Sequence, residues 1–295
     1  RELSEFISSR LVKVVIGIRR SGKSSLCLRA TREIEIGYVN FDDERFLGIS
    51  TGDLNRVLET LLEISPEAKV FLFDEIQNVD GWELFVNRLA RQKYNLLVTG
   101  SSGKLLSSEL STHLTGRHIS LTLFPLSFVE YLGWQGEGEF KSTDDLTTTQ
   151  RSSLSKHFNS FFNNGGFPQV VQGESPGPYL RGLFDSIISR DIVQRHNLRT
   201  SKALKELAAY LIQNSGQIIS IKKLKDAFGI SSVSMVQKYL EYLEDCFLIF
   251  ELRTYSYKLK ERSSAARKVY ACDTGMMRAL WTKPTEDLGS RLETL

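Results

Sequence analysis

One stretch near the start of the chain combines the residue types that bind phosphate groups. Residues 17–24 read Gly-Ile-Arg-Arg-Ser-Gly-Lys-Ser and match the pattern G-x-x-x-x-G-K-[S/T]. Glycines at both ends let successive backbone N–H groups turn towards phosphate oxygens. We predict that Lys23 reaches the β- and γ-phosphates of ATP and that the Ser24 hydroxyl ligates Mg²⁺. The residues expected to contact the nucleotide are Gly17, Arg19, Arg20, Ser21, Gly22, Lys23, Ser24 and Ser25.

Two carboxylates follow an apolar run further along the chain. Residues 70–75 read Val-Phe-Leu-Phe-Asp-Glu. An unpaired charge at the edge of a core is costly, so a catalytic role explains the pair better than packing does. We predict that Asp74 holds the Mg²⁺ shell through water and that Glu75 polarises the attacking water. A helix-capping pair is the alternative. Together with the phosphate motif, the pair predicts phosphoryl chemistry carried by positioning and charge.

Two further positions are candidates for contact with the γ-phosphate. Ser101 follows a predicted strand at 95–99, where P-loop sheets often present a polar side chain, and Thr99 and Ser102 lie close by. A capping serine at the start of a loop is the alternative. Arg117 precedes the last predicted strand of the core, and it could act as an arginine finger in cis or across a subunit boundary. A solvated surface arginine explains Arg117 equally well.

The two arginines inside the phosphate motif have two interpretations. Arg19 and Arg20 either contact the nucleotide or pair with the acidic residues Asp42, Asp43 and Glu44. The sequence does not rank these alternatives.

Alternating strand and helix patterns would position these residues. Strand-like runs occur at 11–16, 37–41, 69–73, 95–99 and 118–123, with helical patterns at 24–33, 52–62 and 82–92. Apolar strands separated by helices indicate a parallel sheet covered on both faces. The sequence therefore predicts an α/β P-loop NTPase core with a five-stranded parallel sheet over residues 1–130.

The remainder of the chain is predicted to form three further parts. Residues 131–200 carry helical patterns and are read as a helical subdomain. Residues 201–283 show three helices followed by two strand-like runs, which is the order of a winged helix. Residues 284–295 are expected to start a truncated C-terminal domain.

Composition limits the class of protein. The chain has 295 residues, of which 41% are hydrophobic and 25% charged, as is usual for a soluble globular protein. No run approaches the roughly 20 apolar residues that span a membrane. The three cysteines form no CxxC pair, which argues against a disulfide scaffold and a zinc site. The expectation is a cytoplasmic protein that does not interact with membranes.

Positive charge is concentrated in the last third of the chain. Such a basic stripe is typical of proteins that bind nucleic acid. Contact with double-stranded DNA would run through Arg253, Lys258, Lys260, Arg262, Arg267 and Lys268. The expected recognition helix opposes this role, because Glu241, Glu244 and Asp245 would repel phosphate. A protein partner or internal packing therefore remains the alternative.

The ordered motifs resemble those of a large group of prokaryotic AAA+-type ATPases. Besides the two motifs above, the resemblance rests on Val-Thr-Gly-Ser-Ser, Leu-Thr-Gly-Arg, Phe-Pro-Leu-Ser-Phe-Val-Glu-Tyr-Leu, Gly-Gly-Phe-Pro and Asp-Ile-Val-Gln-Arg-His. Members of this group join an ATPase core to a winged helix and a restriction-endonuclease-like domain of unknown function. The resemblance implies the roles given above for Lys23, Ser24, Asp74 and Glu75, and it favours Arg117 as a finger. No nuclease residues are assigned in this chain.

Two functions are compatible with these observations. In the first, the chain is an ATPase whose nucleotide state drives a conformational switch. In the second, the chain is an ATP-regulated DNA-binding protein that uses the basic winged helix and forms part of a DNA-processing ATPase–nuclease.

Overall fold

The computed structural model describes residues 6–103, 116–137, 146–199, 201–253, 267–282 and 288–295. The chain forms two units. The first comprises residues 1–18 and 22–123, and the second comprises residues 19–21 and 124–295. The tip of the predicted phosphate loop, residues 19–21, thus belongs with the second unit. Among the described residues, no helix has the length and apolar character needed to cross a membrane.

A five-stranded parallel sheet forms the centre of the first unit. The strands are β1 (Val12–Ile16), β2 (Ile36–Asn40), β3 (Val70–Asp74), β4 (Leu96–Gly100) and β5 (His118–Thr122). Their order across the sheet is β2-β3-β4-β1-β5. Each end lies within one residue of its expected position, so the predicted α/β core with a five-stranded parallel sheet is confirmed.

Helices cover both faces of this sheet, which is why its strands are apolar without alternation. The helices of this unit are α1 (Lys23–Ala30), α2 (Leu54–Ile64) and α3 (Trp82–Arg91). Side chains of α2 and α3 pack with Phe71 and Phe73 on one face. On the other face, Cys27 of α1 packs with Val70 and Leu72. Since all strands run in one direction, the loops that follow β1, β3 and β4 leave the same edge of the sheet.

The second unit begins with helices. They are α4 (Phe128–Trp134), α5 (Thr148–Asn164), α6 (Pro168–Val171) and α7 (Pro176–Ser186), followed by a π helix (Ile187–Gln194). Ser127 and Thr147 start α4 and α5 with reciprocal capping bonds to Glu130 and Gln150. Phe128 packs against Phe161 of α5, with the ring centroids 5.5 Å apart.

The later part of the second unit contains a small antiparallel sheet. Its elements are α8 (Lys202–Gln213), β6 (Ile218–Ile219), α9 (Ile221–Ala227), α10 (Val233–Asp245), β7 (Ile249–Arg253), β8 (Arg267–Ala271), α11 (Thr274–Ala279) and α12 (Leu288–Thr294). The strands are ordered β6-β8-β7. The expected order of three helices and two strands is present, with β6 added between α8 and α9. Its description as a winged helix remains an interpretation.

The last helix packs on the earlier helices of the same unit. Arg291 of α12 is 1% exposed, donates to the Phe162 carbonyl at 2.6 Å and stacks 4.2 Å from the Phe162 ring. Glu293 accepts from Lys268 at 2.6 Å. The described part of the segment that was expected to start a further domain is therefore anchored on the second unit.

A buried carboxylate ties α11 to the start of α6. Asp273 accepts from the Gly166 backbone N–H at 2.8 Å and from the Met276 N–H at 2.9 Å. The second bond caps the N-terminus of α11.

Candidate nucleotide site

The phosphate loop turns sharply between β1 and α1. Gly17 has a φ of +149°, and a Cβ at this position would lie 2.0 Å from the Leu123 carbonyl oxygen. A residue with a side chain therefore does not fit there. Gly22 precedes the first residue of α1 and leaves the helix without a side-chain cap. The backbone N–H groups of the first turn are thus left available for an anion.

Lys23 lies inside the loop rather than in solvent. Its side chain is 4% exposed, and Nζ donates to the carbonyls of Gly17 at 3.1 Å and Ile18 at 3.2 Å. Nζ also lies 3.5 Å from Oε1 of Glu75. The structure therefore places the ammonium group between the phosphate loop and the Glu75 carboxylate, which directly follows β3.

Asp74 ends β3 beside three hydroxyl groups. Its side chain is buried, and Oδ1 accepts from Ser24 Oγ at 2.9 Å and from Thr99 Oγ1. Oδ2 accepts from the Tyr38 hydroxyl at 3.2 Å. The two predicted Mg²⁺ ligands, Ser24 and Asp74, are thus in direct contact. Thr99, which lies close to the predicted phosphate contact Ser101 in the sequence, donates a hydrogen bond to Asp74.

Glu75 follows in a strained conformation. Its φ is +52°, which is uncommon for a residue other than glycine and is often found at functional sites. The Glu75 N–H donates to Thr99 Oγ1 at 3.0 Å, and Gln77 Nε2 donates to Glu75 Oε2 at 2.5 Å. Backbone and side chain are therefore both fixed by neighbours.

The serine candidates differ in their surroundings. Ser21 and Ser101 have buried hydroxyls with no hydrogen-bond partner among the described residues. Ser102 is also buried, whereas Ser25 is exposed on α1. A buried hydroxyl without a partner is costly, so Ser21 and Ser101 fit contact with an additional polar group.

Arg117 lies at the wrong edge of the sheet for contact with the nucleotide of its own chain. It directly precedes β5, whose first residue, His118, pairs with Val12 at the start of β1. The phosphate loop leaves the other end of β1, four residues beyond Val12, which is about 13 Å along a strand. A role in cis is therefore not supported, and a role across a subunit boundary remains a prediction.

Arg19 of the loop has a partner that the sequence did not suggest, whereas nucleotide contact by Arg19 and Arg20 stays a prediction. Arg19 pairs with Asp191 of the π helix, with Nε 3.0 Å from Oδ2. Asp43 pairs with Arg45. Arg20 has a φ of +68° at the tip of the loop.

Burial raises two pKa values near Asp74. The pKa of Tyr38 is raised to about 12, first by burial and then by the Asp74 carboxylate. The same two causes raise the pKa of Cys27 to about 12. Tyr38 therefore remains a protonated donor to Asp74 at neutral pH, and Cys27 remains a thiol.

The described part of the predicted DNA surface is largely neutralised. Arg253 and Arg267 both contact the Glu251 carboxylate, the latter at 3.2 Å. Lys268 pairs with Glu293 at 2.6 Å. The other three predicted cations, Lys258, Lys260 and Arg262, lie outside the described residues.

Sequence reasoning missed three residues that contact the site or its loop. Tyr38 contacts Asp74, Gln77 contacts Glu75, and Asp191 contacts Arg19. Gln77 follows Glu75 by two positions, so its proximity offered a signal. Tyr38 and Asp191 belong to distant segments, and no pattern in one sequence links them to the loop.

Comparison with known proteins places this site in a family. The model of the AAA domain matches residues 9–132, and that of a domain of unknown function matches residues 155–287. An uncharacterized protein of Haemophilus influenzae is 31% identical over 312 residues, covering 100% of this chain and 75% of that protein. The chain belongs to one family with this protein, and its residues 9–132 carry an AAA domain.

Two further similarities fit this assignment. An uncharacterized protein of Methanocaldococcus jannaschii is 37% identical over 272 residues, covering 89% of this chain. The match spans 60% of that relative's length. The Walker-type ATPase of Pyrococcus abyssi has a TM-score of 0.54 and 15% identity, with 95% of both chains covered. At this identity the similarity concerns the fold.

The residues of the site fit ATP and Mg²⁺. Ser24 and Asp74 offer the hard oxygen ligands that Mg²⁺ prefers, and Lys23 supplies a positive charge for phosphate. The buried hydroxyls of Ser21 and Ser101 offer further hydrogen bonds. Glycine at position 17 allows the close turn of the backbone that a phosphate cradle requires.

Proposed function

We propose that this chain binds ATP together with Mg²⁺, hydrolyses it, and uses its nucleotide state as a conformational switch. The contact of Ser24 Oγ with Asp74 Oδ1 at 2.9 Å carries the proposal. This hydrogen bond joins the two predicted metal ligands, of which Ser24 is the last residue of the phosphate motif. Lys23 and Glu75 supply the two charged groups that the reaction needs. Lys23 Nζ lies 3.5 Å from Glu75 Oε1 at the same site.

Each residue has a defined task in this reaction. Lys23 would bind the β- and γ-phosphates, and Ser24 and Asp74 would hold the metal. When bound, Mg²⁺ neutralises charge on the phosphate oxygens. Glu75 orients a water molecule and accepts its proton as the oxygen attacks the γ-phosphorus. The bond from the γ-phosphorus to the bridging oxygen breaks, which yields ADP and inorganic phosphate.

Strained backbone at the site supports a switch. Arg20 and Glu75 both have a positive φ, which residues other than glycine rarely adopt. Such conformations persist where the surroundings determine them, and a bound nucleotide would change the surroundings of the loop. A ligand whose contacts differ between two conformations shifts the equilibrium between them.

Phosphate release with Mg²⁺ and ATP tests the proposal. Lys23→Ala should lose nucleotide binding and turnover, whereas Glu75→Gln should bind ATP without hydrolysing it. Glu33→Gln is the matched control, because its side chain is 81% exposed. No release by the wild type, or full release by both site variants, would contradict the assignment.

DNA binding is the second candidate function, and the exposed face of α10 favours it. The N-terminal half of α10 exposes Val233, Ser234, Gln237 and Lys238. The acidic residues that oppose DNA contact start only at Glu241. In helix-turn-helix proteins the N-terminal residues of the second helix read the bases.

Exposed lysines on the preceding helix could contact the phosphate backbone. Lys222 and Lys223 are both exposed on α9. Reversal of both to glutamate should reduce retardation of duplex DNA at low salt and flatten its salt dependence. The double reversal of Lys156 on α5 and Lys202 on α8 to glutamate, both exposed lysines, controls for net charge. Absence of retardation by the wild type would leave a protein partner or internal packing.

A further inference from the structure

The motif Asp-Ile-Val-Gln-Arg-His at residues 191–196 has no role in the site described so far. Its first residue, Asp191, lies in the π helix Ile187–Gln194 with a side chain only 3% exposed. Runs of π geometry are rare and are often found at functional positions. A buried carboxylate in such a helix needs a partner, because an unpaired charge is costly to bury.

The partner is Arg19 of the phosphate loop. Arg19 Nε and Nη2 donate to the two carboxylate oxygens of Asp191, both at 3.0 Å. The pair is therefore bidentate, which is the arginine–carboxylate arrangement with the strongest directional preference. Both residues belong to the second unit.

The surroundings fix Asp191 on its side of the pair. Ile187, Ile188 and Ile192 of the same helix are buried. The Cys246 thiol lies 3.8 Å from the Asp191 carbonyl oxygen and donates to it. Asp191 is thus held by its own helix and by a neighbouring segment.

The residues that follow Arg19 have a conformation that requires support. Arg20 has a φ of +68°, a backbone conformation that residues other than glycine rarely adopt. The Ser21 hydroxyl is buried with no partner among the described residues. Strained residues of this kind persist where their surroundings determine them, and the anchored Arg19 directly precedes both.

We propose that Asp191 is a positioning residue for nucleotide binding. By holding Arg19 in a bidentate pair, it keeps residues 19–21 in the conformation that presents their N–H groups to phosphate. The proposal rests on the ATP binding proposed above and adds a residue far outside the phosphate motif. Asp191 acts through Arg19 and does not itself touch the nucleotide.

Equilibrium titration of the full chain with ATP and Mg²⁺ tests this role. Asp191→Asn keeps the size of the side chain and removes the charge of the pair. We expect ATP affinity to fall about tenfold and KM to rise, with kcat largely unchanged, because the loop contributes to ground-state and transition-state binding alike. Asp191→Glu retains the carboxylate and should recover part of the affinity. Asp185→Asn is the control, since Asp185 is exposed and pairs with Lys205.

A double variant separates positioning from independent effects. If Asp191 acts through Arg19, then Arg19→Gln with Asp191→Asn should weaken ATP binding no more than the stronger single variant. Additive losses would overturn the proposal, because they would show that Asp191 affects ATP binding independently of Arg19. A lowered melting temperature of Asp191→Asn with wild-type ATP affinity would overturn it as well, since it would leave only a structural role.

The same titration distinguishes this inference from the proposed function. If the wild type binds no ATP, both fail. If the wild type binds ATP, Lys23→Ala does not, and Asp191→Asn binds as the wild type does, only the role of Asp191 is refuted.

Discussion

Two buried aspartates, one in each unit, show how differently a carboxylate can be held. Asp74 in the first unit accepts hydrogen bonds from the side-chain hydroxyls of Ser24, Tyr38 and Thr99. Asp273 in the second unit accepts from the backbone N–H groups of Gly166 and Met276. Both carboxylates are almost fully buried.

The donors decide what each carboxylate can do. A hydroxyl rotates and can accept as well as donate, so the partners of Asp74 can rearrange when a ligand arrives. Backbone N–H groups of a packed segment cannot rearrange, so the hydrogen bonds of Asp273 stay fixed. A buried carboxylate with rotatable donors is suited to ligand binding, whereas one with backbone donors holds segments together.

The largest expected effect concerns Asp74 and appears in turnover. Asp74→Asn should lower Mg²⁺-dependent ATP hydrolysis about 100-fold, because it removes the charge that holds the metal. Its free energy of unfolding should change by less than about 1 kcal/mol, since the hydroxyl donors can reorient. Phosphate release and chemical denaturation measure the two quantities. A large loss of stability in this variant would show that the hydroxyl donors of Asp74 are as fixed as the backbone donors of Asp273.

The next effect concerns the space around Asp273. Gly165 has a φ of +80°, and a Cβ there would lie 2.1 Å from Asp273 Oδ1. Gly165→Ala should therefore lower the free energy of unfolding by about 3 kcal/mol, from backbone strain and displacement of the carboxylate. Gly229→Ala is the matched control: its φ is +61° and no atom lies within 4 Å of the added Cβ. Denaturant unfolding of both variants should show the smaller loss for Gly229→Ala.

Asp273 should also make stability depend on pH. Burial raises its pKa to about 6, against the opposing effect of its backbone N–H donors. Between about pH 4 and pH 6 the native carboxyl holds a proton that the unfolded chain has released. The free energy of unfolding should therefore fall as pH rises through this window, by about 2 kcal/mol, and level off above it.

Asp273→Asn isolates this contribution. The variant should lack the slope between pH 4 and pH 6, because it has no proton to release there. It should be less stable than the wild type at pH 4, since an amide group that faces the Gly166 N–H cannot accept from it. Urea unfolding at several pH values measures the difference. Equal slopes in both proteins would show that Asp273 does not titrate in this window.

The smallest effect concerns one hydroxyl around Asp74. Tyr38→Phe removes the donor to Oδ2 and should raise the Mg²⁺ concentration for half-maximal turnover about fivefold. Turnover at saturating Mg²⁺ should stay close to the wild-type value, because the Asp74 carboxylate itself is retained. Tyr94→Phe, in a tyrosine that packs edge-to-face on Phe71, serves as control. Equal Mg²⁺ requirements in wild type and Tyr38→Phe would show that this donor is dispensable.

Local patterns were sufficient to predict the parallel sheet of the core and to bring Ser24 and Asp74 to one end of it. Five apolar runs became the five strands because burial on both faces requires continuous apolar sequence. Parallel strands then bring the phosphate loop and the end of β3 to one edge of the sheet, which accounts for the contact of Ser24 with Asp74.

Contacts between distant segments could not be predicted from the sequence. The pairing of Arg19 with Asp191 joins positions 172 residues apart, and nothing local marks either residue as the other's partner. The sequence left open whether Arg117 acts in cis, because its place in the motif order says nothing about which end of β5 it occupies. The register of a strand, and the end of the sheet at which a residue lies, follow from strand pairing. One sequence does not specify that pairing.

Titration of the wild-type chain with ATP, in Mg²⁺ and in excess chelator, tests the central claim most directly. Calorimetry should show one ATP per chain in Mg²⁺, weaker binding in chelator, and at least a 100-fold loss of affinity in Lys23→Ala. Equal affinity of wild type and Lys23→Ala for ATP would contradict the claim that this loop is the nucleotide site.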